Sequence, residues 1–118
     1  MEMDGNGAIL KILNREQMDE RVNTLVTERL RIGAERYGHG VCIEDDTTQY
    51  GTVEDSWAEM ALEEVIDGLI YVAAQLEREA KDNLPDGMQE LKLEFVLGAL
   101  KHTAYMLVSY METDIRAK

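Results

Sequence analysis

The sequence predicts an all-α protein: an antiparallel bundle of three long helices, completed by oligomerisation. Three observations carry this. Apolar residues recur at spacings of three and four along three stretches of the chain. No stretch alternates apolar and polar residues as a half-buried strand does. The single proline, Pro85, falls between two of the stretches, where it breaks the chain.

Residues 1–7 are polar and glycine-containing, and a loose start is expected. Ala8–Leu13 is a short apolar patch able to pack on the bundle or on a second subunit. Asn14 with Gln17 reads as a capping box, after which Met18, Val22, Leu25, Val26, Leu30 and Ala34 follow a helical period that Gly38 stops. Residues 38–51 keep no period and exceed the usual helix–helix connection. Asp45, Asp46 and Tyr50 lie in this loop, and residues 39–51 are expected to close over a ligand as a lid.

Thr52 with Asp55 reads as the next cap, opening a helix to about Glu79. Gly68 inside it costs about 1 kcal/mol of helix propensity, which a close helix crossing would justify. After Leu84-Pro85-Asp86-Gly87 a third helix carries Met88, Leu91, Phe95, Val96, Ala99, Leu100, Thr103, Leu107 and Tyr110, ending in a polar tail from Glu112. Apolar residues such as Leu69-Ile70-Tyr71-Val72-Ala73 run unbroken around the helix. Three helices cannot bury them all, so a homodimer or a dimer of dimers is expected.

At 118 residues the chain is expected to form a single domain, 1–118. With 24 acidic and 12 basic residues its formal charge is −12, which repels nucleic-acid polymers and anionic membranes. A small phosphorylated substrate stays open, because a bound cation inverts the local field. The lone Cys42 forms no internal disulfide and reads as an incidental loop thiol; His39 has no spaced partner. No basic region precedes an apolar run at the start, and Gly68–Ala74 is too short to span a bilayer. A cytoplasmic protein is expected.

The chemistry concentrates in Trp57–Leu76, where Glu59, Glu63, Glu64 and Asp67 interrupt an apolar helix. At about 100° per residue, with Glu59 at zero, Glu63 falls at about 40°, Asp67 at about 80° and Glu64 at about 140°. Clustered carboxylates repel one another, and a hard divalent cation, Mg²⁺ or alternatively Mn²⁺, relieves that. The competing reading is the solvated face of an amphipathic helix. Phosphate loops and the common hydrolase and zinc motifs are absent, which leaves cation-assisted phosphoryl transfer to water.

Glu63-Glu64-Val-Ile-Asp67-Gly-Leu-Ile-Tyr71 resembles the Glu-x-x-Asp segment of the MazG-like all-α nucleoside triphosphate pyrophosphohydrolases. Gly33-Ala-Glu-Arg-Tyr-Gly38 resembles a segment of short, often phage-encoded relatives, including ones directed to dATP or dGTP. The resemblance runs from about residue 28 to 76. It implies Mg²⁺-dependent hydrolysis of nucleoside triphosphates, deoxynucleoside ones included, to monophosphate and pyrophosphate. It also implies metal ligands among Glu59, Glu63, Glu64 and Asp67, with Glu59 and Glu63 in catalysis.

The family's upstream Glu-x-x-Glu pair is missing. Either the quartet is compressed into those four residues, or Glu35, or else Glu28, completes it from the first helix. Trp57 and Tyr71 are candidates to stack a base, and Arg36 and Lys101 to meet phosphate; each also has an ordinary packing or surface role. A different class of function stays open beside the enzyme: a non-catalytic helical dimer acting as a protein-interaction or nucleotide-binding module.

Overall fold

The computed structural model describes residues 5–82 and 87–113. They form four α-helices, α1 (Asn6–Leu13), α2 (Glu20–Tyr37), α3 (Trp57–Lys81) and α4 (Gly87–Glu112), a 3-10 turn at Thr47–Tyr50, and no strand. The all-α expectation holds, with a fourth, short helix added to the three long ones. The break at Leu84-Pro85-Asp86 and the tail from Asp114 onward lie outside the described residues. The chain divides into two compact units, Met1–Asp45 and Asp46–Lys118.

In the first unit Gly5, Asn6 and Gly7 are held in place where a loose start was expected, and residues 1–4 of that stretch lie outside the described residues. The Gly5 N–H donates to the Val41 carbonyl at 2.6 Å, and the Asn6 side chain accepts the Val41 N–H at 2.9 Å. Only glycine fits at this contact, since a Cβ on Gly5 would stand 2.6 Å from Ile43 Cγ1 and 2.7 Å from the Val41 carbonyl oxygen. The residues read as a bare apolar patch, Ala8–Leu13, belong to α1. Asn14 ends this helix instead of capping the next. Its backbone N–H and its side-chain Nδ2 both donate to the Leu10 carbonyl, at 3.0 and 2.8 Å.

The cap of α2 is therefore Asp19. Its carboxylate accepts the Arg21 N–H at 2.8 Å and the Val22 N–H at 3.3 Å, satisfying donors that a helix start leaves open. The hydrogen-bonded Arg21 guanidinium, and then these two amides, hold the Asp19 carboxyl below the ordinary aspartate value of 3.8. A depressed value means that the cap's contribution is present in full above the unfolded-chain value. It is lost as pH falls through the lower folded one. The Arg21 and Val22 amide resonances should therefore shift with a midpoint below pH 3.8; in Asp19→Asn that titration should be absent. As the sequence predicts, Gly38 ends α2, at φ +81° with its N–H on the Ala34 carbonyl at 2.9 Å.

In the second unit α3 and α4 pack together as an antiparallel hairpin. Half-buried residues recur every three or four positions: Leu62, Val65, Leu69, Val72 and Leu76 on α3, and Leu93, Leu97, Leu100, Ala104, Leu107 and Met111 on α4. This is the seam spacing of helices that cross at a shallow angle. Arg78 and Lys81 in the last turn of α3 complement its dipole.

Gly68 sits on the seam with Leu100, but the crossing does not require it. A Cβ there would meet Leu100 Cδ1 at 3.7 Å, an ordinary contact. Gly68→Ala should therefore stabilise the hairpin by roughly 0.5–1 kcal/mol through helix propensity, read as a raised midpoint in chemical denaturation. A lowered midpoint would show that the helices approach more closely than this.

Among the described residues no hydrophobic side chain is fully buried. One face of α4 meets α3. Roughly half a turn away, Leu91, Phe95, Ala99 and Met106 form a second stripe that stays exposed, Phe95 by 72%. On α3, Ile66 and Ile70 are exposed in the same way.

Candidate functional site

The site begins at the cap of α3, which lies at Ser56 and not at Thr52 with Asp55. Ser56 Oγ accepts the Glu59 N–H at 3.1 Å. The Glu59 carboxylate reaches back to accept the Val53 N–H at 2.7 Å and the Glu54 N–H at 3.1 Å. This is a capping box with the glutamate displaced onto the two amides that precede the cap. Asp55, read as part of the cap, instead accepts the Thr47 N–H at 3.1 Å.

One turn beyond Glu59 stands Glu63, and one turn beyond that Asp67. Both are exposed and both line an open groove of about 460 Å³ with Glu59, Val53, Leu62, Ile66 and Met111. Spacing by four puts the three carboxylates on one side of α3. The apolar wall comes from Leu62 and Ile66 of the same helix and Met111 near the end of α4. Glu64, paired with Asp67 in the motif, is exposed but is not among the residues lining this groove.

Glu28 and Glu35, the candidates for the missing upstream pair, share one cation in the first unit. Arg31 Nε donates to Glu28 at 3.1 Å, and its terminal nitrogens pair with both Glu28 and Glu35. The hydrogen bond from Arg31 holds the Glu28 carboxyl below its ordinary value, and both glutamates push the guanidinium up. Arg36 is exposed in the last turn of α2.

Trp57 is 39% exposed at the first position of α3, its ring 6.3 Å from that of Tyr50 and tilted 32° to it. Tyr71, one turn after Asp67, is exposed by 69% and so is available to a ligand or partner, not buried in the hairpin. Lys101 and its neighbour His102 are exposed on α4. In the first unit Cys42 does have a neighbour: its Sγ lies 3.4 Å from His39 Nδ1, which donates to the Gly40 carbonyl at 2.7 Å.

What the sequence reading missed is the loop before α3. Thr47, Thr52 and Ser56 are buried polar residues, Thr47 completely. The signal was present as Ser56-x-x-Glu59, a capping box that competed with the Thr52 and Asp55 pair four residues earlier. Residues 47–50, four of the thirteen expected to form a lid, are in a 3-10 turn.

The donor set suits a hard cation. Mg²⁺ keeps most of its water and takes one or two protein carboxylates with the remainder from substrate phosphates, and Glu63 and Asp67 supply two such carboxylates. Among the described residues no three carboxylate, histidine or cysteine side chains form a ready metal cage. Comparison of the chain with family models, curated proteins and solved structures gives no match.

Proposed function

We propose that the protein is a Mg²⁺-dependent nucleoside triphosphate pyrophosphohydrolase acting on small nucleotides, deoxynucleotides included. The observation that carries the reading is the groove, in which exposed Glu63 and Asp67 stand one turn apart against an apolar wall with Glu59 at its end. Glu63 and Asp67 hold the cation, with Mn²⁺ able to substitute. Glu64 joins the ligand set only through rearrangement or a second copy of the chain, and Glu35 is paired with Arg31 in the first unit. When bound, the cation supplies positive charge against the triphosphate and acidifies the attacking water.

The rest falls to the chain's own side chains. Glu59 is fixed by two amide hydrogen bonds, yet a carboxylate has about four acceptor sites, so it retains the capacity to take the proton of the attacking water. Val53, Leu62, Ile66 and Met111 exclude solvent from one side. Lys101 neutralises phosphate, and Trp57 or Tyr71 stacks the base. Two copies of the hairpin pack through the exposed stripes of α4 and α3, forming a four-helix bundle.

The test is a panel of ribo- and deoxynucleoside triphosphates with pyrophosphate release read with and without Mg²⁺. Cation-dependent release from one or a few of them is expected; no release from any would end the enzyme reading. The runner-up is the non-catalytic helical dimer, as a protein-interaction or nucleotide-binding module. It draws on the second apolar stripe and on the engagement of Glu28, Glu35 and Glu59 in local pairs, and it predicts a dimer without turnover. Among the described residues no helix is long and apolar enough to cross a membrane.

A further inference from the structure

The loop before α3 holds four side-chain or backbone groups in one hydrogen-bonded relay. The Ser56 N–H donates to Thr47 Oγ1 at 2.7 Å. The Thr47 and Thr52 hydroxyls lie 2.8 Å apart. The Thr52 hydroxyl donates to the Glu54 carbonyl at 2.6 Å, which Thr47 Oγ1 also approaches at 3.2 Å. Meanwhile the Thr47 N–H donates to Asp55 at 3.1 Å. Thr47 is fully buried, so its hydroxyl and its N–H would otherwise lack a water partner.

The relay has a consequence for Glu59. Residue Glu54 is pinned at its carbonyl by the two threonines, and its own N–H, with that of Val53, points to the Glu59 carboxylate. A carboxylate on a helix surface is otherwise free to rotate among staggered rotamers. Here two amides aimed from a fixed loop select one of them, the one that lines the groove with Glu63 and Asp67. Partners of this kind, which orient a functional carboxylate from behind, are worth roughly 10–100-fold in cation affinity or activity.

We infer that Thr47 is the positioning residue of this groove: its buried hydroxyl sets the Glu54 segment, whose amides hold Glu59 in place. The inference rests on the functional reading of the groove only for its effect on turnover. The arrangement of Glu59 by Thr47 is testable without it.

The experiment compares wild type with T47V, T47S and E59A in cation-free protein, following amide hydrogen exchange by nuclear magnetic resonance. In wild type and T47S, Val53 and Glu54 should be protected alike, within about twofold. In T47V and E59A they should exchange at least tenfold faster, while the amides of α4 keep their wild-type rates. Protection retained in T47V overturns the inference, and so does equal loss in T47S, which would show that bulk and not the hydroxyl matters. Should T47V lose its helical signal, T52V breaks the same relay at its next hydroxyl and must show the same faster exchange at Glu54.

A second arm titrates Mn²⁺ alone by calorimetry. Because Glu63 and Asp67 hold the cation, T47V should bind within about threefold of wild type, as Glu59→Gln should, while its Mg²⁺-dependent pyrophosphate release falls roughly tenfold or more and T47S restores it; wild-type release by T47V overturns the positioning role. Wild-type protein that takes up no Mn²⁺ removes the functional reading of the groove, and the amide arm then upholds or overturns the part played by Thr47.

Discussion

Asp67→Asn should abolish the rise in melting temperature that millimolar Mg²⁺ or Mn²⁺ gives the wild-type protein. Binding to the folded state alone stabilises it by mass action, about 2.7 kcal/mol when the cation stands at a hundred times its dissociation constant. Asparagine keeps the size of aspartate and removes the charge that an oxygen-seeking cation selects. Because Asp67 is exposed and lines the groove beside Glu63, the substitution should leave the seam of α3 and α4 intact. The cation-free melting temperature should then stay put or rise, as relief of repulsion between Glu63 and Asp67 implies.

Glu63→Gln should behave likewise, and in both variants pyrophosphate release should fall on the order of a hundredfold or more. Glu59→Gln should separate from them. Glutamine retains an acceptor for one of the two loop amides, so cation affinity should persist while turnover falls, the mark of an interaction needed chiefly in the transition state. Scanning calorimetry with and without cation, beside steady-state rates, reads all three. A wild-type melting curve unmoved by cation would make the groove a solvated acidic face. Wild-type turnover in Glu59→Gln would move the proton-accepting role elsewhere, Glu35 being the next candidate.

The fold class was legible because it depends on period alone. Leu62, Val65, Leu69, Val72 and Leu76 repeat as a helix seam does, and nothing in the chain repeats as a strand does. Helix starts were less legible, since several short polar residues compete for each cap. Asn14 resembles an N-cap but closes α1 with two donors on one carbonyl. Thr52 resembles one too, but its hydroxyl donates to Glu54 while Ser56 caps the helix. Which candidate wins is decided by where the preceding chain turns, and that is set by contacts such as Gly5 with Val41 and Thr47 with Asp55.

For the site, helical spacing brought Glu59, Glu63 and Asp67 together, whereas Glu64, on the strength of its motif, does not reach the groove. The role of Thr47 was out of reach. A buried threonine leaves no periodic trace, and its bonds run to residues five to nine positions away within an irregular loop.

Phe95→Glu should convert a dimer into monomers. In the single chain no hydrophobic side chain among the described residues is fully buried, although hydrophobic residues make up 45% of the sequence. A lone helical hairpin with only a half-buried seam recovers too little apolar area to offset the entropy of ordering some fifty residues at about 1–2 kcal/mol each. In the proposed dimer the second stripe of α4 supplies what is missing. Leu91, Phe95, Ala99 and Met106 follow helical spacing on the side away from α3, with Phe95 exposed by 72% near their centre. Packed against its symmetry mate, such a stripe removes further apolar area from water on both partners.

A carboxylate at position 95 would then be buried without a partner, at a cost of several kcal/mol. With each tenfold in affinity worth about 1.4 kcal/mol, the dimer dissociation constant should rise by roughly a thousandfold or more. Phe95→Leu should shift it far less. Light scattering across a concentration series reads the mass, and far-ultraviolet circular dichroism reads whether the monomer keeps its helices. Wild type at the mass of one chain throughout would refute the dimer and require another cover for the stripe. A Phe95→Glu protein that stays dimeric would place the interface elsewhere. If the monomeric variant also loses cation-dependent turnover while Asp67 and Glu63 are intact, a second copy contributes to the groove, and Glu35 or Glu64 of that copy becomes the first residue to test.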